Sequence, residues 1–225
     1  MPVIALQILV IALPVIVAIT FHEAAHGFVA RKFGDDTAWR MGRVTFNPLK
    51  HIDPFGTILL PAVLWLTTHF TFGYAKPVPV NFRNLRNPRR DMVWVAAAGP
   101  GINIALAIAS AILLNAVGLF PPASRPWLEF GLEVSVEINV VLALFNMIPL
   151  PPLDGGRVAV GLLPDALAFP LARFERYGMF LLLGLIVVLP LIGTQLGVNL
   201  NVLPWLLSGP AGALIDGIYA LTGHG

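Results

Sequence analysis

The chain has 225 residues, of which 57% are hydrophobic and only 12% charged, and its net charge is +2. A soluble chain carries about 25% charged residues, so the charge that would coat a soluble surface is missing and lipid is the expected solvent. The absence of cysteine excludes disulfides, thiolate metal sites and a cysteine nucleophile, and so small a net charge makes no case for nucleic acid.

A helix needs roughly 20 apolar residues to cross a hydrocarbon core of about 30 Å. Residues 3–31 meet this, interrupted only by His22, Glu23 and His26. No Lys or Arg precedes the run and it continues past Phe21, so it reads as a retained membrane helix and not as a cleaved signal. Residues 92–119 form a second span, with a small-residue stretch where another helix can approach. A third covers 129–148 despite Glu129, Glu133 and Glu137, and a short fourth covers 178–193. Residues 198–222 are apolar but broken by Pro204, Gly209 and Pro210, so a crossing and a surface-lying segment both stay open. Basic loops at 31–50, 74–91 and 164–176 separate these elements, and no internal repeat stands out.

Segment 54–72 is ambiguous, because hydropathy alone makes it another span. Charge placement argues otherwise. Arg31, Lys32, Arg40, Arg43 and Lys50 precede it, and Lys76, Arg83, Arg86, Arg89 and Arg90 follow. If the segment dips in and returns, both groups share one side with Arg157, Arg173 and Arg176, leaving only Arg125 of the 14 basic residues opposite. The positive-inside rule favours that arrangement and makes the shared side cytoplasmic. A re-entrant backbone is tolerated where protein covers it.

His22-Glu23-Ala24-Ala25-His26 is an HExxH motif on an apolar helix. Residues at i and i+4 share a face, so both imidazoles can reach one tetrahedral ion. Glu23 lies about 100° round the helix from His22, placed to take a proton from the attacking water without being a ligand. In a soluble helix such a pattern has an appreciable chance of being structural. Inside a span, each ionisable residue costs about 2.5–3.5 kcal/mol on insertion scales and by default marks function. A metal site accounts for three of them within five residues.

Catalytic zinc takes three protein ligands and keeps one position open. Asp154 is the best candidate for the third. Pro149, Pro151 and Pro152 end the span before it, and Gly155 and Gly156 after it allow close backbone approach. The competing reading is an ordinary Asp-Gly turn, and topology decides between the two. His26 lies five residues, roughly 7–8 Å of helix rise, from Arg31. With 54–72 re-entrant, the spans at 92–119 and 129–148 return the chain so that Asp154 emerges at the depth of the histidines. With 54–72 crossing, Asp154 would finish on the far face.

HEAAH in one membrane helix, Ala98-Gly99-Pro100-Gly101-Ile102-Asn103 in the next, and Asn146 with Leu153-Asp154-Gly155 after a third together resemble the site-2 protease family of intramembrane metallopeptidases (peptidase M50). Asn47–Pro61 and Lys76–Asn81 resemble its compact bacterial and archaeal branch, without PDZ or CBS domains, for which 225 residues leave no room. The likeness covers roughly residues 15–160. It implies a three-helix catalytic core, zinc held by His22, His26 and Asp154, and cleavage of transmembrane or membrane-associated substrates within the bilayer of a prokaryotic cell membrane.

Asn103 and Asn146 are candidates for binding the substrate backbone or a developing oxyanion, with helix packing as the alternative. His51 and His69 read as loop or interfacial residues, Asn47 and Asp53 as turn residues, and Gly99 and Gly101 as sites of close packing on the motif helix. Trp39, Trp65, Trp94, Trp127 and Trp205 fall near span ends, as interfacial anchors do. The expected architecture is an all-α polytopic membrane protein forming one peptidase domain over 1–225. Its catalytic core covers about 3–163 and further spans about 177–222, with a short re-entrant or β insertion. The expected partners are a membrane protein or peptide substrate and the lipid bilayer. A non-catalytic metal-binding protein or transporter is the alternative, but transporters tend to show repeated halves, and a storage site needs ligands without a general base.

Overall fold

The computed structural model describes residues 2–68 and 73–224. Helix α1 (Pro2–Lys32) ends where Gly34 turns the chain at a φ of 113°. A single turn, α2 (Thr37–Arg40), and a short apolar helix, α3 (Leu60–Thr68), follow. Pro88 opens α4 (Pro88–Leu114) at a position where the missing N–H has no intrahelical partner to lose. Next come α5 (Arg125–Asn146), halted by the prolines after it, and α6 (Asp154–Leu162). The C-terminal part holds α7 (Asp165–Leu183), α8 (Leu189–Leu196) and α9 (Val202–Thr222). A π turn over Gly184–Val188 fuses α7 and α8 into one long helix.

The helices are apolar outside and small or polar inside, the reverse of a soluble bundle. Leu9, Leu13, Phe180 and Trp205 point outward, while Ala18, Ala24, Thr20 and Asn103 are buried. Lipid is the solvent that such an apolar exterior fits. Among the described residues, three helices are long and apolar enough to cross a membrane: Leu6–Lys32, Pro88–Leu114 and Asp165–Leu196. The chain is an integral, all-α membrane protein. Helix α5 is long enough but carries three glutamates, and it packs on α4 and α1 within the core.

Hydrogen bonds fix the helix directions. His22 and His26 of α1 meet Asn103 and Val95 of α4, so the sequence rises along one as it falls along the other. Asn103 and Ser110 of α4 meet Asn139 and Ser135 of α5, again antiparallel. Thus α1 and α5 run parallel with α4 against both. The α4 face that allows this close approach is a stripe of Ala96, Gly99, Pro100, Asn103, Ala107, Ser110 and Ala111, all buried. Small residues at this spacing let backbones come near enough for dispersion and interhelical hydrogen bonds to hold the bundle where lipid gives no hydrophobic drive.

The segment after Pro54 goes out and comes back. The Tyr74 N–H donates to the Gly56 carbonyl at 3.0 Å, and the Lys76 N–H donates to the His51 carbonyl at 2.8 Å. A Cβ on Gly73 would strike Pro61 at 2.7 Å, so only glycine lets the returning chain lie so close. The segment therefore leaves and re-enters at one end of the bundle. The basic groups gather at that same end: Arg43 donates to the Lys76 carbonyl, the Arg86 N–H to the Phe33 carbonyl, and Arg89 pairs with Asp165.

Of the re-entrant and β forms expected for the insertion, no strand occurs among the described residues: within Gly73–Val80, Pro77 and Pro79 lack donors and the Val78 N–H is taken by a side chain. Two expectations need correction. Residues 165–176 are helix, not loop, because Arg173, Glu175 and Arg176 lie on an exposed part of α7 that extends the expected fourth span. Gly101 faces open space and packs against nothing. His69 and the end of the 54–72 segment lie outside the described residues.

Candidate metal centre

Helix α1 carries His22 and His26 one turn apart, facing α4, and both are buried. Each imidazole is oriented through its Nδ1. His22 Nδ1 is 2.6 Å from Asn103 Oδ1, and His26 Nδ1 is 2.7 Å from the Val95 carbonyl. The Asn103 amide nitrogen donates to the Ala18 carbonyl and to Asn139, so its oxygen is the atom that faces His22. Both partners accept only, so Nδ1 carries a proton on each ring, and in the neutral imidazole the Nε2 lone pair is then free. Outer partners of this kind set the tautomer of metal-binding histidines.

The third group arrives from α6. Asp154 is the first residue of that helix, and its carboxylate is not engaged in capping. Gly155 and Gly156 press against the Met147–Pro151 turn so tightly that a Cβ on either would collide with backbone. This contact brings Asp154 Oδ2 to 3.1 Å from His22 Nε2 and 3.3 Å from His26 Nε2. Oδ2 is buried and has no hydrogen-bond partner among the described residues. Gly99 of α4 closes the other side: a Cβ there would stand 2.6 Å from the Nε2 of each histidine.

Two nitrogen lone pairs and an orphaned carboxylate oxygen, all within 4.8 Å of one another, repel unless a cation lies among them. At the usual zinc–ligand distances of about 2.0–2.2 Å, the edge of a tetrahedron is roughly 3.3–3.6 Å. The donor set and the observed spacing fit zinc.

Glu23 stands beside this trio, and its Oε2 accepts the Val78 N–H at 2.7 Å. A cleft of about 330 Å³ contains His22, Glu23, His26, Asn146, Asp154 and Arg157. The residues expected to act together are thus brought together, with one exception. Asn103 is fully buried behind His22 with both ends of its amide engaged, so it does not face the cleft and cannot meet an oxyanion. Asn146 does line the cleft, although its amide nitrogen donates back to the Leu142 carbonyl. His51 is buried at the entry to the re-entrant segment, bound to the Thr45 carbonyl and apart from the trio. Asn47 and Asp53 cap local turns, as expected.

Sequence reasoning missed the Val95 carbonyl and the Val78 N–H. Both are backbone groups that any residue would supply, so composition carried no signal for them.

The model of peptidase family M50 matches residues 10–133, more than half of the chain and including the whole of α1 from Val10 onward. The chain belongs to peptidase family M50. The "Putative zinc metalloprotease YwhC" of Bacillus subtilis is 42% identical over 181 residues, spanning 79% of this chain and 80% of that protein. The "Putative zinc metalloprotease MJ0611" of Methanocaldococcus jannaschii is 35% identical over 140 residues, 61% of this chain and 62% of its own length. The "Putative zinc metalloprotease Rip2" of Mycobacterium tuberculosis H37Rv is 27% identical over 183 residues, 81% and 68% respectively. No solved structure matches the chain. As an M50 peptidase the protein is a zinc-dependent protease of the site-2 type, embedded in a membrane.

Proposed function

We propose that this M50 member is an intramembrane endopeptidase that hydrolyses peptide bonds in transmembrane or membrane-associated substrates, with His22, His26 and Asp154 as zinc ligands and Glu23 as general base. The observation that carries the reading is the orphaned Asp154 Oδ2, buried 3.1 and 3.3 Å from two imidazole nitrogens whose partner nitrogens are already engaged. When bound, zinc lowers the pKa of water to about 7 and polarises a carbonyl.

The chain's own residues do the rest. Glu23 takes the proton of the attacking water and returns it to the leaving amine, and the Val78 N–H holds one carboxylate oxygen so that the other can face the cleft. Asn103 and the Val95 carbonyl keep both histidines in the ligating tautomer. Asn146, in the cleft wall, is the candidate to meet the substrate backbone. His22 lies ten residues, roughly 15 Å of helix rise, from Lys32 at the end of α1. That depth is inside the hydrocarbon, where a helical substrate must unwind to expose its carbonyls. The extended stretch Gly73–Val80 borders the cleft and offers a short edge for an unwound strand. Clustering of basic residues at the Lys32 end makes that end cytoplasmic, in a prokaryotic cell membrane.

The test is reconstitution in vesicles with a single-span reporter protein. Wild type should cut inside the reporter's apolar segment, and Glu23→Gln should not. Cleavage confined to the flanking soluble sequence would overturn the intramembrane reading.

A further inference from the structure

A second and larger cavity, about 820 Å³, lies between α5, the π turn with its following proline, and α9. It adjoins the catalytic cleft, sharing Gly73, Leu142 and Phe145 in its walls. Its walls are apolar but for a few uncharged polar residues, and a single ionisable group lines it: Glu137. That residue sits in mid-helix, twelve positions from Arg125 and nine from Asn146. Its depth matches that of the metal centre, because Asn139, two residues on, binds Asn103, which binds His22.

Glu137 is exposed towards the cavity and not buried in the bundle; a carboxylate at that depth in a membrane is costly, and such residues usually have a partner or a task. Among the described residues Glu137 has neither an ion pair nor a hydrogen bond on its side chain, although basic and amide groups are available elsewhere in the chain. The facing wall holds the Gly184–Val188 π turn, with Pro190 and Pro204 in the first turns of α8 and α9 beside it. Interruptions of this kind recur at functional sites.

We infer that this cavity is a substrate exosite, and that Glu137 selects transmembrane segments carrying a cationic Lys or Arg side chain within their apolar run. The inference rests on the intramembrane-protease reading and names the substrate feature that this site would recognise. Charge complementarity identifies the occupant. A purely apolar helix or a lipid chain would leave the carboxylate without a partner, whereas a basic side chain carried into the cavity by the substrate would pair with it. The same pairing explains how an apolar groove could discriminate among membrane helices that otherwise present alike surfaces to it.

The experiment uses the full chain in vesicles with a series of fluorescent peptides built on one leucine-rich span, each carrying a single Lys at a different position. Wild type should cleave one or two of them roughly tenfold or more better than the all-leucine parent, the scale of a desolvated charge pair. Glu137→Gln should lose that preference while keeping parent cleavage and zinc content, and Glu137→Lys should favour peptides with Glu at the same position. Equal cleavage of all peptides, or a preference that survives Glu137→Gln, would overturn the inference. A second measurement needs no catalysis. In Glu23→Gln carrying Ser208→Cys in the cavity wall, a peptide with a cysteine next to its Lys should form a disulfide, and addition of Glu137→Gln should abolish it. Capture of the all-leucine peptide to the same extent would mean that the cavity takes any apolar chain, and the exosite would fall. Wild type that cuts no peptide at all, with Lys-dependent capture intact, would count against the protease reading and leave the exosite standing.

Discussion

Two buried aspartates, Asp35 and Asp154, are treated in opposite ways. Asp35 follows α1 and is only 1% exposed. It accepts the N–H and hydroxyl of Thr37, the N–H of Asn81 and the amide of Asn84. Burial alone would raise its pKa. The Thr37 hydroxyl, with the other three donors, outweighs burial and holds the carboxyl below the usual range. Asp154 is also buried, yet one of its oxygens has no donor and faces two imidazole nitrogens. A carboxylate that the protein satisfies ties segments together, whereas one that it leaves unsatisfied beside lone pairs waits for a cation. Burial and residue type are the same in both cases, and the direction of the neighbouring dipoles separates them.

That contrast can be broken by mutation, and the largest effect should come from Glu23, proposed as general base and not as ligand. Glu23→Gln should lower kcat by about 10²–10⁴-fold and leave about one zinc per chain. Loss of zinc with the activity would make Glu23 a ligand and redraw the centre.

Asn103→Ala removes the acceptor behind His22. The His22 tautomer is then free, and zinc affinity should fall by about 10–100-fold, read by competition with a chelator, while the spans still assemble. An unchanged affinity would mean that Asn103 is only packing between α4 and α5.

Asp35→Asn should do the reverse. Stability in detergent should fall by about 1–3 kcal/mol, as expected when buried donors lose their acceptor, with zinc content and cleavage intact. The pH dependence has a definite sign. Because the folded carboxyl titrates below its unfolded value, its contribution is complete above the ordinary aspartate range and disappears as pH falls through the depressed value. The gap in thermal midpoint between wild type and Asp35→Asn should therefore narrow with acid. A gap that widens would reverse the assignment.

Much of this was legible in the sequence, for reasons that can be named. HEAAH could be read because helix periodicity alone puts His22 and His26 on one face. Asp154 could be singled out because charge placement constrained the topology, and the Tyr74 N–H on the Gly56 carbonyl brings the two ends of the segment together. The role of Asn103 could not: an amide in an apolar helix announces that it has a polar partner but not which one, and only the crossing of α1 and α4 shows that it faces His22 and not the cleft. Which form the insertion takes could not be read either, because the sequence carries no information about where the N–H groups after Gly73 go. The length of the α7–α8 helix was missed because Arg173 and Arg176 stand in a stretch exposed on all sides, whose charges read as loop.

The most direct test of the central claim is metal content, measured by elemental analysis on wild type, Asp154→Asn and Asp35→Asn purified alike. Both substitutions keep the size of the side chain and remove one buried charge, so any general effect on folding should touch both. About one zinc per chain in wild type and Asp35→Asn, with zinc and cleavage lost in Asp154→Asn alone, is the predicted result. Zinc retained at the wild-type level in Asp154→Asn would contradict the three-ligand centre, and so would equal loss from both variants.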